Sequence, residues 1–133
     1  MASTTNTNAN IAMVRSDGTF KSIYLHWDGE PGCAGQKLLE HYNSSDDVHD
    51  MLLHGDLSSL GECYELCDYY FEHEGEVWDD VMPITKNQIF ISDIINGKHN
   101  NLKEENFLYV WDDSGEMWYV MDGSKVFQPL EAY

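Results

Sequence analysis

Residues 10–26, NIAMVRSDGTFKSIYLH, hold two short apolar runs around Ser16-Asp17-Gly18-Thr19. Asp-Gly between such runs signals a hairpin, because glycine tolerates the positive φ of a tight turn. In the second run Phe20, Ser22, Tyr24 and His26 share one face, and Lys21, Ile23, Leu25 and Trp27 the other. The alternation predicts strands over about 11–16 and 19–26. A second hairpin is predicted near the other end, where NFLYVW and EMWYVM flank Asp112-Asp113-Ser114-Gly115. Both runs carry apolar residues on each face, so this hairpin is expected at the centre of a sheet. Asp122-Gly123 marks one further turn before KVFQPLEAY.

Between the hairpins the period changes. The stretch YLHWDGEPGCAG, residues 24–35, is broken by Gly29, Pro31, Gly32 and Gly35. Leu38, Leu39 and Tyr42 then recur on one helical face. Ser45 can cap a second helix, with Asp46 and Asp47 in its favourable first turn and Val48, Met51 and Leu52 as its apolar stripe. His54 falls in its last turn and Gly55 supplies the stop. A helix–helix unit is predicted over about 35–54.

Residues 62–81, ECYELCDYYFEHEGEVWDDV, admit two readings. At about 100° per residue, Cys63, Leu66, Cys67, Tyr70, Phe71, Val77, Trp78 and Val81 gather on one side, while Glu65, Asp68, Glu72, Glu76 and Asp79 form a narrow acidic stripe opposite. That pattern favours a helix to about residue 73, then irregular or extended chain. The aromatic YYF and EVW around His73-Glu74-Gly75 would also suit turning strands. QIFISDII is a short strand or a buried helical turn, and periodicity does not decide between them. NGKHNNLKEEN reads as a polar loop. The sum is an α+β domain over residues 10–133, in which the two hairpins build one antiparallel sheet with helices packed on one face. Residues 1–9 read as a loose, flexible tail.

Composition adds one strong constraint. The 133 residues carry 24 Asp plus Glu against 7 Lys plus Arg, a formal charge of −17. A chain of that sign repels nucleic acid and anionic membranes and attracts basic surfaces. The 42% hydrophobic content still suffices for a single core. No apolar run approaches the roughly 18–20 residues needed to cross a bilayer. The start MASTTNTNAN has neither the basic nor the apolar part of a signal peptide, so a cytoplasmic location is expected. Three cysteines, Cys33, Cys63 and Cys67, are then expected as reduced thiols.

The candidate chemistry is sparse. Cys63 and Cys67 with His73 lack the fourth ligand of a structural zinc site, so they read as buried apolar side chains and no metal or cofactor is expected. His26 beside Asp28 resembles an acid–base pair, but Gly29 ends the strand that would align them, and the stretch reads as a strand-to-helix connection. Cys33 has no recognisable nucleophile motif around it. Asp112-Asp113 is accounted for by its turn.

The N-terminal half resembles a group of small phage and prophage proteins. The resemblance rests on His26-Trp27-Asp28-Gly29, Pro31, Gly35, Leu38-Leu39, Tyr42, Gly55, Asp56-Leu57-Ser58 and Leu60. It covers residues 16–62, and more loosely 104–130 with Trp118. It implies a phage or mobile-element origin and a place of action in the host cytoplasm, with no reaction attached. Small acidic phage proteins include anti-CRISPR and other anti-defence proteins. The expected function is therefore non-enzymatic inhibition of a bacterial defence complex by occupation of a basic surface, of the kind that binds nucleic acid. Direct contact with nucleic acid or membrane is not expected. Glu65, Asp68, Glu72, Glu76 and Asp79 are the candidate contacts, since acids on successive helical turns approximate a row of phosphates, as in a DNA mimic. An aromatic patch around Tyr69, Tyr70 and Phe71 is the other candidate surface. The alternatives are a small enzyme acting on a defence component or signal nucleotide, and a structural phage protein.

Overall fold

The computed structural model describes residues 5–124 and 126–133. Both predicted hairpins form. Strands β1 (Ala9–Val14) and β2 (Phe20–Leu25) pair antiparallel, and so do β6 (Phe107–Asp112) and β7 (Met117–Met121). The hairpins join through β1 and β6, as expected, but that pair runs parallel, Ile11 opposite Tyr109. The sheet is therefore mixed rather than antiparallel throughout. A parallel junction needs a long connection, and residues 26–106 supply it. Four short strands complete the sheet: β3 (Leu57–Ser59), β4 (Asp68–Tyr69), β5 (Ile84–Lys86) and β8 (Phe127–Pro129). The order is β4-β3-β2-β1-β6-β7-β8, and β5 also pairs with β2. The fold is α+β.

The sheet has a core on each face. One face presents Ile11, Met13, Ile23, Leu25, Tyr109, Trp111, Trp118 and Val120. It is covered by helices α1 (Gln36–His41) and α2 (Ser45–Leu53) through Leu38, Tyr42, Val48, Met51 and Leu52. The other face presents Ala12, Val14, Phe20, Leu108, Val110 and Met121. It is covered by Ile89, Leu102 and Ile94, the last from the short helix α5 (Ile91–Ile95). Helices therefore lie on both faces, not one. An apolar sheet centre with no polar face requires this second cover. It also settles QIFISDII: Ile89 is tied to Gly18 by a backbone bond of 2.9 Å, and the rest turns into α5.

Local chemistry explains the element ends. The Ser44 hydroxyl, one residue before the expected cap, accepts from the Asp47 N–H at 3.2 Å. Gly55 stops α2 with φ +85°. Within the tail expected over residues 1–9, the described part is not loose. Residues 1–4 lie outside the described residues, and the chain from Thr5 onward is held. The Thr5 N–H donates to Asp28 at 2.7 Å and its hydroxyl reaches both Glu30 oxygens, at 2.9 and 2.7 Å. Ala9 already lies buried in β1.

Candidate functional site

The stretch at residues 24–35 is architectural. The His26 ring nitrogen Nδ1 shares a hydrogen bond of 2.7 Å with the Tyr24 hydroxyl, and the ring stands edge-on to Trp27. Asp28 and Glu30 clip the N-terminal segment. Gly29 allows that segment to pass, since a Cβ there would lie 2.8 Å from the Thr7 carbonyl oxygen. The chain then makes a wide helical turn over Pro31–Gly35 into α1. Trp27, at the end of the first hairpin, is only partly buried, whereas Trp118 in the second is fully packed. Cys33 lies beside Asp28 and Glu30, with donor atoms within 4.8 Å of one another. Both carboxylates already accept from Thr5. Burial and the Glu30 charge push the Cys33 thiol up from its ordinary range, which lowers its reactivity.

The acidic segment departs most from expectation. Residues 62–81 form no continuous helix. Tyr64–Leu66 make one tight turn, Cys67 is extended, and Asp68–Tyr69 join the sheet as β4. Helix α3 (Tyr70–Glu74) is one turn long and stops at Gly75, φ +72°. Helix α4 (Trp78–Val81) follows. The reason is the open edge of β3: its backbone pairs with Asp68 and Tyr69, Leu57 opposite Tyr69. Burial there follows a period of two, with Cys67 and Tyr69 inward. Gly61 permits the fold-back, since a Cβ there would collide with the Leu66 carbonyl oxygen. The loop closes over Tyr42, whose hydroxyl donates to the Gly61 carbonyl at 2.8 Å.

The candidate contacts separate accordingly. Tyr69 is 1% exposed, its hydroxyl directed to the Met51 carbonyl, so it is a core residue and not a contact. Tyr70 is partly buried, and Phe71 is the exposed member of the aromatic trio. Glu65, Glu72, Glu76 and Asp79 are exposed, and Asp68 is partly so. They share one region but not one helical stripe, so the phosphate-row spacing is lost. Of the predicted apolar side, Cys67 and Val81 are buried, whereas Leu66, Phe71 and Val77 stand out at 68%, 44% and 62% exposure and Cys63 is exposed.

Two hollows lie beside α4, and of these residues Phe71, Glu72 and Asp79 help to line them. Leu53, His54, Phe71, Glu72 and Trp78 line the first, of about 380 Å³. Phe71 and Trp78 meet edge to face at 5.1 Å, and Glu72 pairs with His54. Asp56, Asp79, Asp80, Met82, Pro83, Ile84 and Thr85 line the second, of about 490 Å³. Sequence periodicity did not single out Asp56. Its N–H donates to the Val81 carbonyl at 2.8 Å, its carbonyl accepts from Tyr70, and its carboxylate accepts from the Tyr24 N–H at 2.8 Å. It thus ties β2 to α3 and to the end of α4. Burial pushes its carboxyl up to about 6, against the opposing Tyr24 bond. Gly55 lets α4 come close, because a Cβ there would lie 2.5 Å from the Val81 carbonyl oxygen.

Charge in this region is one-sided. Between Lys37 and Lys86 the sequence has no Lys or Arg and 13 of the 24 acids. Among the described residues, its acids pair only with histidines: Glu40 with His41, Asp50 with His49, Glu72 with His54, and Asp68 with His73. The other ion pair, Lys98 with Asp93, lies elsewhere. Fixed negative charge is therefore left uncompensated at the surface. No protein-family model, curated protein or solved structure matches the chain. Among the described residues, no helix is long and apolar enough to cross a membrane.

Proposed function

We propose that this chain is a phage or mobile-element protein that inhibits a bacterial defence complex by covering a basic surface, without chemistry of its own. The observation that carries the reading is the cation-free acidic segment 38–85, whose exposed carboxylates have no Lys or Arg partner in the segment. Such a field speeds encounter with basic surfaces and suppresses contact with nucleic acid. The N-terminal motifs supply the phage association. Among the acid–base candidates, His26 is hydrogen-bonded to Tyr24, and Asp28 and Glu30 hold Thr5, which suits an architectural role for them.

Phage plating on bacteria with and without a given defence system tests this. Expression of the protein is expected to restore plating on the defended host and to leave the undefended host unchanged. The doubly reversed variant Glu65→Lys with Glu76→Lys is expected to lose most of that rescue and keep the wild-type melting temperature. Absence of rescue across CRISPR and restriction hosts, with no salt-sensitive binding to their purified effectors, would refute the reading.

A further inference from the structure

The hollow beside α4 has a chemistry that an acidic surface alone does not require. Its lining is mainly apolar, from Leu53, Phe71 and Trp78. Leu53 is 50% exposed and Phe71 44% exposed. They come from different elements, the end of α2 and the start of α3, so the hollow is a tertiary feature. Bulky apolar side chains gathered on the surface of an otherwise acidic segment mark an interaction site. Its lip carries Glu72, and the exposed acids Glu74, Glu76 and Asp79 follow closely along the chain.

We infer that this hollow receives a bulky apolar side chain from a protein segment whose neighbouring residues are Lys or Arg, that is, a basic amphipathic segment of the partner. The inference rests on the proposed role as an acidic binder and adds what the partner must present. Charge complementarity selects this occupant. Nucleic acid and anionic lipid share the sign of the surface and are repelled. A second copy would set one −17 chain against another. A bare run of Lys or Arg would satisfy the carboxylates but leave Leu53, Phe71 and Trp78 wet. An apolar anchor seated beside the Glu72–His54 pair, with basic neighbours reaching the acids of the surrounding segment, matches the usual division between a buried hot spot and a polar rim. The volume of about 380 Å³ lies at the lower end of ligand pockets and suits one such anchor.

The test uses the full chain and two synthetic Leu/Lys peptides of about four helical turns. One places leucine at helical spacing on a single face, and the other has the same composition with leucine scattered. Titration calorimetry, supported by tryptophan fluorescence because Trp78 lines the hollow, reads affinity and stoichiometry. The one-faced peptide is expected to bind one to one and at least about tenfold more tightly, a difference of about 1.4 kcal/mol. Phe71→Ser, and separately Leu53→Ser, should remove that advantage and leave the scattered peptide unaffected. Both positions are exposed and lie on different elements, and melting curves check that each variant is folded. Equal affinity for the two peptides, with both variants silent, would overturn the hollow as an anchor site and leave the acidic-binder reading standing. Failure of both peptides to bind at low salt would overturn both.

Discussion

Asp56 offers a direct measurement of how the acidic region is held. Its carboxylate is half-buried against the backbone and has no cation to offset it, so its proton affinity moves from an ordinary 3.8 to about 6. Desolvation raises it, and the Tyr24 N–H, donating at 2.8 Å, opposes the rise. A raised carboxyl favours the folded state while it holds its proton. That contribution is complete below about pH 4 and is lost as pH rises through about 6. Its full size is roughly 3 kcal/mol, from about 1.4 kcal/mol for each tenfold change in proton affinity. The carboxyl lies partly open to water, so about 1–2 kcal/mol is the value to expect. Asp56→Asn keeps an oxygen for the Tyr24 N–H and carries no charge. It should therefore be more stable than the wild type by about 1–2 kcal/mol near pH 7.5, with a melting temperature higher by roughly 4–8 °C. The gain should vanish near pH 4. Urea unfolding of both proteins at the two pH values supplies the comparison, and taking the difference largely removes the general repulsion of a −17 chain. Asp56→Ala separates charge from hydrogen bonding. It strands the Tyr24 N–H and should lose about 1–3 kcal/mol relative to Asp56→Asn at both pH values. A gain for Asp56→Asn that is equal at both pH values, or a loss near pH 7.5, would refute the reasoning.

Three further outcomes are expected. Trp118→Ala should cost about 3–5 kcal/mol in urea unfolding, because Trp118 is 3% exposed, packs against Trp111, and donates to the Tyr42 carbonyl at 2.8 Å. Gly55→Ala and Gly75→Ala both place a Cβ at positive φ, but only the first also meets backbone, Val81 at 2.5 Å. Gly75→Ala should lose about 1 kcal/mol and Gly55→Ala distinctly more, read from melting curves. Alkylation followed by mass spectrometry should label Cys63 first, Cys33 slowly and Cys67 last. Cys63 is exposed, the Cys33 thiol is held up by burial and by Glu30, and Cys67 is buried.

The hairpins and the helix pair were legible because their signals are local. Asp-Gly and Asp-Asp-Ser-Gly turns, the apolar runs that flank them, and the spacing of Val48, Met51 and Leu52 each specify geometry within a few residues. The α+β class follows from them. The acidity was equally plain, although its concentration in the cation-free run between Lys37 and Lys86 was not singled out. Tyr69 was misplaced among the contacts because an aromatic residue in a polar segment reads the same on a core strand as on a surface patch.

Residues 62–81 satisfied the helical period, and tertiary structure overruled it. Periodicity reports which residues could share a face, not whether another backbone stands ready to pair. The open edge of β3 took Asp68 and Tyr69 into the sheet. Gly61 and Gly75 then made the short turns affordable. The parallel junction of β1 with β6, the second layer on the opposite face, the Asp56 tie and the hollow of Leu53, Phe71 and Trp78 join residues far apart in sequence. The two hairpins, their turns and the sign of the surface follow from local order and composition, since each depends on neighbours or on a sum over the chain. Which carboxyl is pressed against backbone and which apolar side chains remain outside came from packing, because burial depends on what arrives from elsewhere in the chain.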